Sequence, residues 1–392
     1  MDPAAAVVAE IERLLPQLVS WRRDLHAHPE VARRETRTTA FLHDTLTAAG
    51  IEVTALPGTG LLADLGATEP VRRVALRADL DALPVPERSG LPFRSTTDGV
   101  CHACGHDVHT TVVLGVALAL KTIEPSLVDR GLAIRCIFQP AEEVMPGGAH
   151  DVLDAGAMDG VDRALAVHCD PSIDVGTVGL TVGPITAACD QVEVTLTGPG
   201  GHTSRPHLSA DLTFALGKVL TDVPAVLSRR LDPRSGVALV WGRVDAGHAA
   251  NVIPASGRVV GTLRMLDADE WKRVDGLVEQ VVQEVVAPYK VAAQVAHIRG
   301  VPPVVNDAAA IAALTAAARA TAGERSVVPT RQSLGGEDFS WLLQKTPGAL
   351  ARLGTRAPGG ATYELHQGDL VIDETAIGVG TRLLAVAALS EV

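Results

Sequence analysis

Residues 99–115 read GVCHACGHDVHTTVVLG, with two cysteines, three histidines and an aspartate ahead of an apolar run. The spacing leads to three different folds. Cys101 and Cys104 make a CxxC pair that can open a zinc ribbon, or a redox turn at the start of a helix. Cys104 and His106 can instead belong to a catalytic metal centre, since a thiolate and an imidazole one residue apart suit Zn²⁺, Mn²⁺ or Co²⁺. A zinc ribbon needs a second close pair of ligands, and Cys136, Cys169 and Cys189 supply none. A redox CxxC does not want histidines crowding it. The residues by themselves favour the metal centre and leave a plain solvent-facing turn open.

Working outward, the surroundings read as layered α/β. IEVTAL, GLLADL and RVALRADL precede the motif as short strand-like runs. Residues 107–120 look helical, LAIRCIFQ returns to strand character, GGAHDVLDAGAM reads as a short helix and DRALAVHC as the next buried strand. Apolar strands alternating with helices predict a mixed, largely parallel sheet inside. Two helices lead in, over 7–25 and 37–49, with Pro29 after the first and Gly50 after the second. His26 and His28 fall at the end of the first helix and read as structural.

The texture changes near residue 185. DQVEVTLTGPG alternates strongly, residues 208–231 read as a helix with Pro224 as a break, and LVWGRV and ASGRVVGTLRML look like half-exposed strands. A helix over 269–286 and the strand YKVAAQVAHIRG follow, enough for a separate α+β domain. From about Val301 the first texture returns, with an alanine-rich helix to Ala322 and a last helix over 373–389. The expected organisation is a catalytic domain over 1–184 and 301–392 interrupted by an inserted sandwich-like domain over 185–300.

Composition narrows the function. At 47% hydrophobic and 20% charged, the chain can build large cores and is not a disordered protein. A net charge of −12 argues against a broad nucleic-acid face. Five cysteines, sparse and odd in number, fit a reducing compartment. The first 25 residues lack a basic leader and read as an amphipathic helix, and no apolar run reaches membrane-spanning length. A soluble, cytoplasmic protein without nucleic-acid or membrane partners is the expectation.

The candidate chemistry lies in one stretch. Of the 13 histidines, five fall between His102 and His168, beside RADLDALPVPE with Asp79 and Asp81, and FQPAEE with Glu142 and Glu143. Acids at strand ends are where open α/β sheets place functional groups. Two adjacent carboxylates make sense if one neutralises a cation and the other handles a proton. His168 taken alone can be a satisfied core histidine, and His366, Asn251 and Arg264 taken alone are surface or turn residues.

CHACGHDVH, RADLDALPVPE and FQPAEE, together with RRDLHAHPE, GPGGHTSRPH, NVIP, GTLR, GGEDF and YELHQGD, resemble the M20 metallopeptidases, most closely the amidohydrolase branch of hippurate, N-acyl-amino-acid and auxin-conjugate hydrolases. The order of the motifs over nearly the whole chain carries the resemblance. It implies a metallopeptidase-type catalytic domain with an inserted lid and dimerisation domain. It also implies two divalent ions per subunit, Zn²⁺ or Mn²⁺ with Co²⁺ also suitable, on Cys104, His106, Glu143, His168 and His366, with Cys104 as the bridge. Glu142 is implied as general base, and His202, commonly serving the partner subunit of a homodimer, as the group that polarises the scissile carbonyl. Asn251 and Arg264 match substrate-binding positions. Asp107 is expected to orient His106 from behind, while Asp79 and Asp81 support the site. The reaction implied is hydrolysis of small N-acyl amino acids, with a carboxypeptidase or dipeptidase as the alternative. Two departures stand out: Cys101 where the family often has methionine, and Gln367–Gly368 after the last ligand.

Overall fold

The apolar runs become buried strands because both sheet faces are covered. The computed structural model describes residues 2–391. Strands β1 (Glu52–Ala55), β2 (Leu61–Gly66), β3 (Arg72–Asp79), β4 (Leu132–Gln139) and β5 (Arg163–Asp174) join Gly348–Arg356, Val178–Gly179 and Val327–Val328 in one eight-stranded sheet. Its order is β1-β2-β4-β3-β5, then the three later strands in the order 348–356, 178–179, 327–328. The four central strands, β4, β3, β5 and Gly348–Arg356, run parallel, whereas β1 with β2 and β2 with β4 are antiparallel. Burial along β3 and Gly348–Arg356 is almost unbroken, as parallel strands between helical layers require. This is the mixed, largely parallel sheet expected from the sequence.

Helices α1 (Pro3–Ala27), α2 (Thr36–Ala48) and α3 (His106–Lys121) pack with Ala308–Ala322 and Thr375–Leu389 around a shared core. Asp2 caps α1 by accepting from the Ala4 N–H at 3.2 Å, with Pro3 at its first position. α1 and α3 approach closely at Gly115, where a Cβ would lie 2.7 Å from Leu18 Cδ1.

Contacts divide the chain into two units. The first runs to Gly183 and resumes with Val305–Arg331 and from Asp338 onward; the second is Pro184–Val304 with Gln332–Glu337. The sequence places 332–337 in the catalytic part, and this is corrected. Within the second unit the segment is held by the Ser333 N–H donating to the Ile185 carbonyl at 2.8 Å and the Ala187 N–H donating to the Gly335 carbonyl at 3.3 Å.

The second unit is a four-stranded antiparallel sheet ordered Ala238–Ala246, Ser256–Met265, Ala188–Thr197, Ala292–Val301, with helices Leu212–Arg230 and Leu277–Val286 packed on it. Alternate residues of Ala188–Thr197 are buried, which is the period of a sheet with one covered face. Three expectations fail here. Pro224 does not break its helix, because Val219, Val223 and Leu227 stay buried on one face through it and packing offsets one lost hydrogen bond. That helix also starts at Leu212 rather than 208, where the Asp211 side chain caps the Phe214 N–H at 3.1 Å. Conversely, the single helix expected over 269–286 is two, Ala268–Arg273 and Leu277–Val286, parted by Gly276 in the left-handed conformation at φ 75°.

Candidate metal centre

Three loops of the first unit meet beyond the carboxyl ends of the parallel strands. β3 ends at Asp79, in register with Gln139 at the end of β4, and each strand runs directly into acidic residues. α3 begins with His106, after Gly105 at φ 81°. A Cβ on Gly105 would lie 2.8 Å from Cys169 Sγ, so backbone angle and crowding both demand glycine there. His106 and His109, one helical turn apart, face the same side with ring centroids 5.4 Å apart.

Donor atoms of Cys104, His106 and His168 all lie within 4.8 Å of one another, as do those of Cys104, Glu143 and His366, and those of His106, Glu142 and Glu143. All five residues implied as ligands, and the implied base, therefore come together. Cys104 belongs to both of the first two groups. His168 Nδ1 donates to the Cys169 carbonyl at 2.9 Å, which leaves Nε2 with its lone pair 3.6 Å from Cys104 Sγ. His106 is fully buried, yet neither ring nitrogen has a hydrogen-bond partner. Glu143 Oε1 sits 3.1 Å from His366 Nε2 and 3.9 Å from His106 Nε2, also without a hydrogen bond. Buried polar atoms are seldom left this way, and their convergence fits a site built for cations.

The anionic surroundings favour a cation, which on His106 and His366 is a proton unless a metal ion displaces it. Burial drives the Cys104 thiol upward, so the thiolate needs a cation beside it. Burial opposes charge on His106, but Asp79, Cys104 and Asp81 outweigh it and raise its pKa well above the ordinary value. For His168, burial and then the charges of His109 and Arg352 lower the pKa well below ordinary, keeping the ring neutral as a ligand must be. The adjacent Glu143 carboxylate raises His366 against partial burial.

Supporting groups hold these side chains. Asp81 accepts the Glu142 N–H at 3.0 Å with one oxygen and the Glu143 N–H at 2.9 Å with the other. Its first oxygen also lies 3.4 Å from His106 Nδ1. Asp81, not Asp107, therefore backs His106. Asp107 faces away, 2.8 Å from Arg22 Nε and 2.8 Å from His26 Nδ1, and ties the end of α1 to the start of α3. His109 accepts the Cys169 N–H on Nε2 at 2.8 Å, so its proton is on Nδ1, directed at Asp79 Oδ1 at 2.7 Å. With both nitrogens engaged, His109 is a support and not a ligand. Asp79 also takes Arg77 at 2.6 Å. Burial would raise the Asp79 carboxyl, but the neighbouring His106, His109 and Arg77 hold it well below the usual carboxylate range.

Both ligand loops carry strained backbone, with positive φ at Ala141 (55°) and His366 (63°). Ala141 is pinned by its N–H donating to the buried Glu35 at 2.8 Å. His366 is pinned by its N–H donating to the Ala103 carbonyl at 2.7 Å, beside Cys104. The unusual Gly368 has a local cause: a side chain there would strike the Pro86 carbonyl, and its own carbonyl accepts the Arg88 N–H.

A model of peptidase family M20/M25/M40 matches residues 75–390. The chain belongs to this family. Among its relatives, a Rhodococcus jostii protein named "Putative glutamate--cysteine ligase 2-3" is 47% identical over 369 residues, 94% of this chain but only 46% of that protein, so the chain spans about half its length. An N-acetyl-L-cysteine deacetylase of Bacillus subtilis is 37% identical over 94% of this chain and 86% of its own. The solved structure of a Bacillus subtilis protein described as a dinuclear metal binding peptidase of the M20 family superposes with a TM-score of 0.84 at 33% identity, covering 96% of this chain and 98% of that one.

The other M20 site residues expected from sequence lie in the second unit. His202 and Val252 pair in a two-residue ladder, which sets Asn251 beside the His202 strand, and the Thr203 N–H donates to the Asn251 carbonyl at 3.2 Å. His202 is exposed, and its Nδ1 accepts the Ser204 N–H at 3.1 Å, so its proton is on Nε2. Arg264 donates through one guanidinium nitrogen to the Leu334 carbonyl. Sequence reasoning missed Glu35, Arg77, Gln139 and Asp338. Arg77 donates to Gln139 at 3.0 Å and Asp338 at 2.8 Å. The signals available were a charge inside the apolar run of β3 and the places of Arg77, Gln139 and Asp338 within RADLDALPVPE, FQPAEE and GGEDF. Among the described residues, no helix is long and apolar enough to cross a membrane.

Proposed function

We propose that this M20-family chain is a metal-dependent amidohydrolase that cleaves small N-acyl amino acids to a carboxylic acid and a free amino acid. The observation that carries this reading is the convergence of Cys104, His106, Glu143, His168 and His366 in two groups that share Cys104. Cys104, His106 and His168 would hold one divalent cation, and Cys104, Glu143 and His366 the other. Thiolate, imidazole and carboxylate donors suit Zn²⁺ or Mn²⁺, and Co²⁺ also fits. When bound, the cations supply Lewis acidity toward the scissile carbonyl and toward water.

Glu142 takes a proton from the attacking water and delivers it to the leaving nitrogen. Asp81 fixes the backbone that carries Glu142 and Glu143, so the two carboxylates keep separate tasks. His202, with its proton on Nε2, is suited to donate to the carbonyl oxygen as negative charge grows on it. Arg264 uses one nitrogen on the Leu334 carbonyl and keeps the rest of its fork for a substrate carboxylate, with Asn251 as a polar partner. One amide and one carboxylate describe an N-acyl amino acid.

The protein acts as a homodimer through the second unit, where the edge strand Ala238–Ala246 exposes Val240 and Val244. A cytoplasmic location is supported by cysteines that are all free.

The test is to strip the protein of metal, reload it with Zn²⁺, Mn²⁺ or Co²⁺, and offer N-acetyl, N-benzoyl and indole-acyl amino acids alongside dipeptides. Release of amine from the acyl amino acids is expected. Release from dipeptides alone moves the assignment to a dipeptidase, and no release from any loaded form overturns it.

A further inference from the structure

The loop that carries the carboxylate pair has a feature that hydrolysis itself does not use. Residues 141–149 are anchored at both ends. Ala141 donates to Glu35, Glu142 and Glu143 donate to Asp81, the Gly148 N–H donates to the Ala141 carbonyl at 2.9 Å, and the Ala149 N–H donates to Asp338 at 3.1 Å. Arg33 reaches the Pro146 carbonyl at 3.1 Å from outside. Gly147, Gly148 and Ala149 are buried, as is Ala141. Between these anchors the exposed crest is Val144–Met145–Pro146, apolar throughout, with Val144 40% and Met145 54% accessible.

A single exposed apolar residue needs no explanation. Three in succession, on a loop fixed by six hydrogen bonds, hold apolar surface in water at a constant position. The crest begins one residue after Glu143 and two after Glu142. Consecutive Cα atoms are ~3.8 Å apart, so Met145 is within roughly 8–11 Å of Glu142 along the chain. A substrate amide acted on by Glu142 would carry its own substituents within a comparable distance.

We propose that Val144 and Met145 are specificity-determining residues that pack against an aliphatic or aromatic substituent of the substrate. The inference rests on the amidohydrolase reading of the centre. The substituent can be the acyl chain or the amino-acid side chain; both are apolar groups attached close to the amide.

Two substrate series separate these sources: N-acyl glycines from acetyl to octanoyl, and N-acetyl amino acids from glycine through alanine and valine to leucine and phenylalanine. Met145→Ser and Val144→Ser remove apolar contact, while Met145→Leu keeps it. A methylene in an apolar pocket changes kcat/KM by about tenfold or more. In Met145→Ser the preference for the longest over the shortest member of one series should therefore fall about tenfold, and Met145→Leu should restore it. As a readout independent of turnover, calorimetry on the Glu142→Gln background should show the same series losing its gain in Kd with chain length.

Selectivity unchanged in both series, or an equal loss on every substrate, overturns the inference and leaves the amidohydrolase reading intact. A crest that instead serves a subunit contact gives that equal loss together with a change in oligomeric state. Wild-type protein inactive on every acyl amino acid overturns both. Should Met145→Ser fail to fold, Val144→Ser carries the same comparison through both series.

Discussion

At the scale of single residues, neighbouring carboxylates are assigned different work by what holds them. Glu143 faces His366 and His106, Glu142 lies in the same cluster, and Asp81 grips both backbone N–H groups. Glu142→Gln should therefore retain both metal ions, measured by elemental analysis, while turnover falls by roughly 10²–10⁴. Substantial activity in that variant would remove Glu142 from the base role. Asp81→Asn presents an amide group to a backbone N–H and should weaken metal binding about 10–100-fold, read by competition with a chelator. Unaltered affinity would mean that Asp81 does not position the loop. The ligands themselves were legible because they stand in motifs whose order is specific. Of their supports, Asp79 and Asp81 stood in such a motif, but Glu35 did not: it lies over a hundred positions from Ala141, and nothing in its local sequence marks it. Asp107 was misread for a related reason. It follows His106 in the chain, but on a helix adjacent residues point in different directions, so sequence neighbours are poor guides to hydrogen-bond partners.

At the scale of elements, most strands were legible, whereas the central strand Gly348–Arg356 and helix continuity were not. Alternation or unbroken apolarity names a strand directly. Whether a helix passes through proline or stops at glycine depends on packing, as Pro224 and Gly276 show in opposite senses. The second unit also contains a polar hub that pattern reading did not register. Asp190, fully buried, accepts from Trp271 at 3.0 Å, His297 at 2.8 Å and the Gly300 N–H at 2.9 Å. Burial would raise its pKa, but His297, the Gly300 N–H, Trp271 and Arg299 together hold it below the ordinary 3.8. The stabilisation is therefore complete above that ordinary value and is lost as pH falls through the lower folded one. Asp190→Ala should cost about 1–3 kcal/mol, seen as faster amide exchange in Ala188–Thr197 and Ala292–Val301 at neutral pH. Exchange equal to that of the wild type would show that the hub is not structural.

At the scale of the whole molecule, the sheet, its helices and a second α+β unit were readable from texture, while the return of residues 332–337 to that second unit was not. Short irregular segments carry no periodicity to read. The proposed dimer has its own test. Chains carrying His202→Ala mixed with chains carrying Glu142→Gln should regain about one competent site per mixed dimer if His202 serves the partner's centre. No recovery in dimers shown to be mixed would rule that out.

The place of Cys104 in both donor groups would let one thiolate serve two cations. The most direct test of that sharing is titration of metal-free protein with Co²⁺, following the sulfur-to-cobalt charge-transfer absorption that appears only when thiolate binds the metal. Two equivalents per chain are expected, with absorption growing through both and lost in Cys104→Ser. Saturation at one equivalent, or a second equivalent that binds without adding to the thiolate band, would contradict the shared thiolate.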